Sequence, residues 1–513
     1  MKKNLLIGAL LLAAVSVEAH QKFQINITAG QLTTESLTKL NTTFVQMKID
    51  GLETDKTLGA PELPVKTWLI KGTPDQIKVQ FKKNKIESIA GRPAPVQEQD
   101  CRCDTNKVKV FSYRADLYEN SSPDVQVNYL GAFRGQAISQ VNVRLADYNA
   151  ASGQVELVTN AEIVVNTSEF SLPRGSDNKD YLIVTTPQLA DGVNDFVNWK
   201  RSRGYNVSVE TVASPNNTTA AVQALIKQSY QRGADFVIIV GDESTIPMFR
   251  AATSGSAQTP SDLLYYTMDG GDDYVPDMYS SRIVASTAAQ VQAQLAKSIE
   301  FEQRSFADVS GLNKFIGIAS NEGSKPSDDE YVTAIEAKYT EVLKSTIVHL
   351  KQNDTVNSKP GVLNSHFNSG AAWLTYLGHG SGTSWPSMAQ AYTTANIAQV
   401  SNKSVVKPII IDVACQNGRL ISANLGSQFM KVGPDANGAV AYYGGSVNIS
   451  WHPPAVMAQG IAYEQLSKNY PHLGEALLAG QLYLAGKWAN KAEVVDNMEW
   501  YHLQGDPGLA IGL

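Results

Sequence analysis

Two kinds of hydrophobic patterning divide the chain. Up to about residue 170, apolar and polar residues alternate, as in Gln76-Ile77-Lys78-Val79-Gln80-Phe81 and Gln140-Val141-Asn142-Val143-Arg144-Leu145. Residues 155–165 continue in the same style. A period of two is the mark of a strand with one face buried and one wet. Turn-forming clusters such as Asn120-Ser121-Ser122-Pro123-Asp124 separate the runs, and helical spacing is scarce. The pattern predicts a β-rich, sandwich-like module over residues 20–174.

From Asp180 onward the pattern changes. Short, wholly apolar runs alternate with stretches of helical spacing. Tyr181-Leu182-Ile183-Val184-Thr185 reads as a strand, followed by a helix with Val193, Phe196, Val197 and Lys200 on one face, closing before Gly204. Further strands are expected at 234–240, 315–319, 371–377, 408–413 and 439–444. Apolar strands separated by helices predict a mostly parallel sheet covered on both faces, with its chemistry at the carboxyl ends of the strands. Two α/β units are expected, 175–311 and 312–513, with a soft boundary near Asp308-Val309-Ser310-Gly311-Leu312. Between the β-rich and α/β regions, residues 171–180 form a polar linker carrying Arg174, Gly175 and Lys179, the type of exposed segment that proteases cut.

At 513 residues the chain exceeds a single core, and about two to four domains are expected. Hydrophobic content of 43% and charged content of 18% describe an ordinary globular protein. A net charge of −6, with no long run of Lys or Arg, argues against nucleic acid as the main partner. Residues 1–19 read as an export signal: Lys2 and Lys3 precede an apolar stretch too short to span a bilayer, and Val17-Glu18-Ala19 fits a cleavage site before His20. No other segment reads as transmembrane. The expectation is an exported protein, periplasmic, on the cell surface or extracellular.

Two of the apolar strands end in reactive groups. One runs through Pro408-Ile409-Ile410-Ile411-Asp412-Val413-Ala414 to Cys415-Gln416-Asn417-Gly418; the other through Ala371-Ala372-Trp373-Leu374-Thr375-Tyr376-Leu377 to Gly378-His379-Gly380. A parallel sheet would bring this thiol and imidazole to one edge, as a cysteine nucleophile with its proton shuttle. The remaining cysteines, Cys101 and Cys103, lie two apart. A bond between them is expected only with strain, no nearby ligand completes a tetrahedral metal set, and the pair reads as incidental.

In the same order, further motifs spread from Asp180 to Leu513: Phe196-Val197-Asn198-Trp199-Lys200 with Arg203-Gly204, Val240-Gly241-Asp242 with Ile246-Pro247, and Ile318-Ala319-Ser320-Asn321-Glu322-Gly323. They continue through Gly378-His379-Gly380-Ser381 with Trp385, the Cys415 motif, Asn448-Ile449-Ser450-Trp451 and Gly505-Asp506-Pro507. This set resembles the catalytic domain of the gingipains, cysteine peptidases of a caspase-like α/β/α fold. The resemblance implies Cys415 as nucleophile, His379 as acid/base and Glu322 as the carboxylate that orients the imidazole. It implies the backbone N–H groups of Gly380 and Cys415 as the oxyanion hole. An arginine-directed pocket would need a carboxylate, and either Asp328 or Asp329 stands in the matching stretch, with Asp328 favoured. Trp451 matches the aromatic lid of that pocket. Pro454-Ala455 departs from the pattern where arginine-cleaving members carry a bulkier residue, which implies a wider pocket. Guanidinium pairs bidentately with a carboxylate and ammonium does not, so Arg is favoured over Lys at P1, the substrate residue before the cut.

By the same resemblance, the N-terminal module is an inhibitory prodomain, removed by cleavage at Arg174-Gly175 or, as second choice, at Lys179-Asp180. The expected partners are peptide or protein substrates and the chain's own prodomain. C-terminal accessory domains of many relatives are not expected. No organic cofactor is implied. Calcium is a candidate at the acidic loop Asp269-Gly270-Gly271-Asp272-Asp273, with Asp277 a little further on, although its spacing matches no recognised calcium loop and a solvated turn is the competing reading. Two rival functions stay open: a caspase-like peptidase of different P1 choice, and an inactive exported adhesin or binding protein on this fold.

Overall fold

The computed structural model describes residues 20–512 apart from 100, 104–109, 120–122, 176–178, 252–258, 324–325 and 432–436. The expected export signal, and part of the turn cluster at 120–124, lie outside the described residues.

The N-terminal module is built mainly from antiparallel sheets. One pairs Gln21–Asn26, Val79–Ala90 and Ala146–Asn149 with the long strand Gln154–Val165; a second orders Glu53–Thr54, Pro64–Lys71, Gln136–Arg144 and Val125–Phe133. Alternation decides which side chains turn inward. Trp68, Ile70, Val141 and Val143 of one sheet share a core with Ile25, Val158, Ile163 and Val165 of the other. One boundary differs from expectation. The run at Gln76 enters its strand only at Val79, because the N–H groups of Gln76 and Ile77 both bond the Thr73 carbonyl in a turn.

The α/β region holds two sheets. In the first, strands β1 (Asp180–Thr185), β2 (Asn206–Thr211), β3 (Phe236–Val240) and β4 (Tyr279–Ile283) lie in the order β2-β1-β3-β4, all parallel. In the second, β5 (Lys314–Ala319), β6 (Thr346–Lys351), β7 (Trp373–Leu377), β8 (Ile409–Val413), β9 (Ala441–Gly445) and β10 (Tyr501–Gln504) lie in the order β6-β5-β7-β8-β9-β10. Only β10 runs antiparallel to its neighbour. Buried on both faces, β8 and β9 have no exposed position, which explains their apolar runs, interrupted in β8 by the buried Asp412.

The two sheets share one core: Phe236 and Tyr279 belong to the same cluster as Val413, Tyr443 and Leu503. The chain's last turn ties them. Asp506, just past β10, pairs at 2.7 Å with the wholly buried Lys200, which also meets Glu302 at 2.6 Å. The N-terminal module docks on this body through apolar side chains. Leu69, Phe133, Phe170 and Leu172 enter the same core cluster. Among the described residues, no helix is long and apolar enough to cross a membrane.

Candidate active site

In the second sheet the chain leaves β5 to one side for β6 and then returns to the other side for β7. Strand order reverses between β5 and β7, and a crevice opens at the carboxyl ends of such a pair. Each expected chemical group lies on a loop at this edge. Glu322 follows β5, His379 follows β7 and Cys415 follows β8. His379 and Cys415 each stand two residues beyond their strand, so parallel register brings their loops together.

The approach of those two loops is close enough to require glycine. A Cβ on Gly380 would stand 2.3 Å from the Cys415 carbonyl oxygen and 2.8 Å from its nitrogen. Gln416 then takes a left-handed turn with φ of 62°, and its N–H bonds the Val447 carbonyl at 2.8 Å. Asn417 accepts the N–H of Gly382 at 2.9 Å, which staples the histidine loop to the cysteine loop. Among the described residues, no protein acceptor takes the N–H of Gly380 or Cys415.

Cys415 is wholly buried and accepts the Ile449 N–H at 3.2 Å. Burial pushes its thiol up to about 12, with the Ile449 N–H and the Arg102 charge only partly offsetting the loss of water. His379 Nε2 lies 2.9 Å from a Glu322 carboxylate oxygen, and Nδ1 lies 2.6 Å from the carbonyl oxygen of Arg102. Oxygen atoms thus flank both ring nitrogens. The indole of Trp451 meets the same ring edge-on, with centroids 5.3 Å apart.

Arg102 comes from the N-terminal module, and the sequence reading gave it no role. Its side chain is wholly buried. Nη1 and Nη2 donate to the two oxygens of Asp328 at 2.9 and 2.7 Å, and Nε and Nη2 donate to the Trp451 carbonyl at 3.1 and 2.8 Å. The guanidinium lies 4.4 Å from the Trp451 ring centroid, a cation–π contact worth ~2 kcal/mol when desolvated. Burial by itself would lower this group, but the Asp328 carboxylate outweighs it and holds the guanidinium raised. Asp328 is the first residue of the helix Asp328–Leu343, where the helix dipole favours an anion, and it also accepts the Ser320 hydroxyl at 2.7 Å. The Arg102 backbone adds to the site as a short strand: its N–H bonds the Ile449 carbonyl at 3.1 Å, and Cys101 pairs with Ser450.

The structure separates the two aspartates that the sequence left as alternatives. Asp328 faces the Arg102 guanidinium, whereas Asp329 turns outward to His349 at 2.9 Å and Lys351 at 2.8 Å. It also corrects the reading of the first two cysteines. Cys101 and Cys103 are joined as a disulfide, and Cys101 Sγ lies 3.9 Å from Cys415 Sγ. Far from incidental, the pair brackets the buried Arg102. Two cysteines flanking a basic residue were the signal available in the sequence.

The acidic loop is rearranged relative to expectation as well. Asp269 and Asp273 converge with Asp277, their nearest oxygens all within 4.8 Å, while Asp272 is not part of the group. These carboxylates already accept backbone N–H groups from the N-terminal module, Ala132 to Asp273 and Arg134 to Asp277. Burial raises Asp273 and pushes Asp277 up to about 7. Three clustered carboxylates, two buried and one exposed, offer the oxygen ligands that a hard divalent cation takes. The linker residue Arg174 is exposed, with its Nε on the Asn469 carbonyl at 2.9 Å, and Gly175 donates its N–H to Glu475 at 2.9 Å.

Fold and site define a class: an α/β protein that carries a thiol and an imidazole on adjacent loops at a sheet switch point, near a buried carboxylate. The model of peptidase family C25 matches residues 174–512, well over half of the chain, and the chain belongs to that family. Gingipain R2 of Porphyromonas gingivalis is 25% identical over 392 residues, covering 72% of this chain and 51% of that protein. Gingipain R1 of Porphyromonas gingivalis is 27% identical over 354 residues, 65% of this chain and 34% of that protein. Lys-gingipain of Porphyromonas gingivalis is 24% identical over 553 residues, 92% of this chain and 31% of that protein. The chain thus spans about half or less of the length of these curated relatives. Among solved structures, the Arg-specific cysteine proteinase gingipain R aligns with a TM-score of 0.59 and 23% identity, over 66% of this chain and 80% of that one. The complex of pro- and mature domains of Porphyromonas gingivalis RgpB aligns at 0.57 and 23%, over 64% and 79%. These likenesses carry the fold.

Proposed function

We propose that the chain is the zymogen of an exported cysteine endopeptidase that cleaves after a basic residue, Arg before Lys, and that its N-terminal module blocks it with Arg102. One observation carries this reading: Arg102, from outside the matched family region, fills the acidic pocket as a P1 side chain would, with its carbonyl on His379.

In the open enzyme the Cys415 thiolate attacks the substrate carbonyl carbon. Negative charge develops on the carbonyl oxygen and is met by the N–H groups of Gly380 and Cys415. His379 gives a proton to the departing amine, and Glu322 steadies the imidazolium. Water then hydrolyses the thioester with His379 as base. Asp328 and Trp451 hold the P1 guanidinium, and the bidentate geometry favours Arg over Lys. In the zymogen this machinery is occupied: the Arg102 carbonyl sits on the imidazole, and the buried thiol is protonated. Cleavage of the Arg174-Gly175 bond, whose Arg174 side is exposed, separates the module from the peptidase body, and the body's own Arg preference fits that bond. A divalent cation, calcium by its preference for carboxylates, is assigned to Asp269, Asp273 and Asp277. The test is a panel of fluorogenic Arg, Lys, Asp and Asn amides, run on the processed chain and on Cys415→Ala. Arg turnover that vanishes in Cys415→Ala supports the proposal; turnover of the acidic or Asn amides alone, or of none, rejects it.

A further inference from the structure

We propose that the Cys101–Cys103 disulfide is a thiol-sensitive latch: closed, it keeps Arg102 in the pocket as an uncut inhibitor, and reduced by a small dithiol, it turns the same segment into a substrate cut after Arg102. This rests on the preceding reading of Cys415 as nucleophile and Arg102 as pocket occupant.

The argument begins with connectivity. The disulfide joins the residues on either side of Arg102, so both peptide bonds of Arg102 lie inside one small ring. Suppose His379 takes the Cys415 thiol proton and the sulfur attacks the Arg102 carbonyl carbon. A thioester forms, the Arg102–Cys103 bond breaks, and the amine of Cys103 takes a proton from His379. That amine does not leave, because the disulfide still ties it to Cys101 on the acyl side. A tethered amine held near its reaction partner has an effective concentration far above that of a diffusing one. Attack by the amine on the thioester then outruns attack by water, and the peptide bond is restored. With the disulfide open, the amine diffuses away and water completes hydrolysis.

Placement decides which sulfur is open to reduction. Cys103 is exposed, Cys101 is half-buried, and the Cys101 sulfur lies 3.9 Å from that of Cys415. Cys415 is wholly buried, so an outside thiol does not reach it through the docked segment. An outside dithiol meets Cys103 first. One of its thiolates bonds to Cys103 Sγ, the Cys101–Cys103 bond breaks, and Cys101 leaves as a thiolate that takes up a proton. The second thiol of the reagent then displaces Cys103. The dithiol is oxidised to a disulfide and both cysteines are reduced to thiols. In an oxidising setting the latch is closed, as an exported chain requires during transit.

The experiment uses the full chain. Wild type is incubated with and without dithiothreitol, and Cys101→Ser/Cys103→Ser is incubated without any thiol. Cleavage between Arg102 and Cys103 is read by peptide mass mapping, and hydrolysis of a small Arg amide is read in parallel. The expected result is no lasting cut at Arg102 in oxidised wild type. Cleavage there is expected in reduced wild type and in the thiol-free double variant, with amide hydrolysis up by about tenfold or more. Measuring the variant without thiol separates the latch from mere reduction of an oxidised Cys415, and the wild-type arms stand if the variant does not fold. Equal cleavage after Arg102 in oxidised and reduced wild type overturns the proposal. So does a folded double variant that stays uncut and latent, or a Cys101–Cys415 disulfide in the untreated chain. Cys415→Ala distinguishes the underlying reading: if that variant is still cut after Arg102, it is the assignment of Cys415 that fails.

Discussion

Arg102 and Asp328 stand 226 residues apart and form a two-pronged ion pair with no exposed side-chain surface on either partner. Taking such a pair out of water is expensive, and removing one member leaves the other charged and buried, a cost of ~3–5 kcal/mol. A surface contact between two modules has no need of that arrangement. A pocket made for a guanidinium does, which is why the proposed function reads Arg102 as filling the substrate pocket.

Latency should therefore depend on Arg102. Arg102→Ala in the full chain leaves Asp328 uncompensated and weakens docking of the inhibitory segment, by between about a hundredfold and several thousandfold if the full penalty is felt. Hydrolysis of a small Arg amide by the unprocessed chain is expected to rise at least about tenfold over wild type. Arg102→Lys keeps the charge but loses the fork, and should fall between the two. An unprocessed Arg102→Ala chain as silent as wild type would show that the module blocks by other contacts.

Substrate selection should follow Asp328 and not its neighbour. Asp328→Ala in the processed enzyme removes the carboxylate that takes both guanidinium prongs, and kcat/KM for an Arg amide should fall by about 30-fold or more, the scale of losing a buried charge-assisted partner. Asp329→Ala touches only His349 and Lys351 on the outer side of the helix and should change that value by less than about twofold. Comparable losses in both variants would move the pocket elsewhere.

Much of this was legible in the sequence because it follows from period and spacing. Apolar runs ending at Gly378-His379-Gly380 and Ala414-Cys415 belong to strands buried on both faces, and parallel register then fixes where their ends meet. Lys200 fell on the apolar face of its helix, and it is indeed inside, held by Glu302 and Asp506. What escaped was long-range and conformational. Nothing near Cys101 announces that its segment will lie along Ile449–Trp451, since that pairing joins two domains. Asp277 was seen a little beyond the acidic loop but not counted among its ligands: the chain turns after Asp273 and brings it beside Asp269, whereas a reading by adjacency chose Asp272.

The glycine after the histidine gives a steric test. A methyl group at position 380 would stand 2.3 Å from the Cys415 carbonyl oxygen, inside any allowed contact. Gly380→Ala must push the two loops apart and move both N–H groups assigned to the oxyanion. Loss of one such donor costs about 10²–10³ in kcat. The processed Gly380→Ala enzyme should lose at least that factor in kcat, with the melting temperature showing whether the fold survives. Wild-type turnover in this variant would remove the backbone of residue 380 from the mechanism.

The thiol itself should report the closed state. Burial pushes Cys415 up to about 12, so the thiolate fraction at pH 7 is about 10⁻⁵ and rises tenfold with each pH unit. Alkylation of Cys415 by iodoacetamide in the unprocessed chain should be slow and should climb without a plateau up to about pH 10. After processing, water and His379 both reach the sulfur, and the profile should level off at lower pH. A plateau near neutrality in the unprocessed chain would mean that the module does not seal the site.

The acidic cluster makes a prediction in which the sign matters. Asp277 has a carboxyl raised by burial to about 7 in the folded chain, against an unfolded value near 3.8, with the Asp273 and Asp269 charges adding to the effect. Folding therefore favours its protonated form. The stability it contributes is fully present below the unfolded value and is lost as pH climbs through the folded one; Asp273 acts in the same direction. A divalent cation replaces the missing proton and should act where the carboxylates are ionised. The melting temperature of the full chain at pH 8 should rise on adding calcium and fall with a chelator, and the increment should shrink towards zero by about pH 5. Asp269→Asn, at the exposed corner of the cluster, should reduce the increment while leaving the buried pair in place. A calcium response equal at both pH values, or untouched by Asp269→Asn, would place the ion on other ligands.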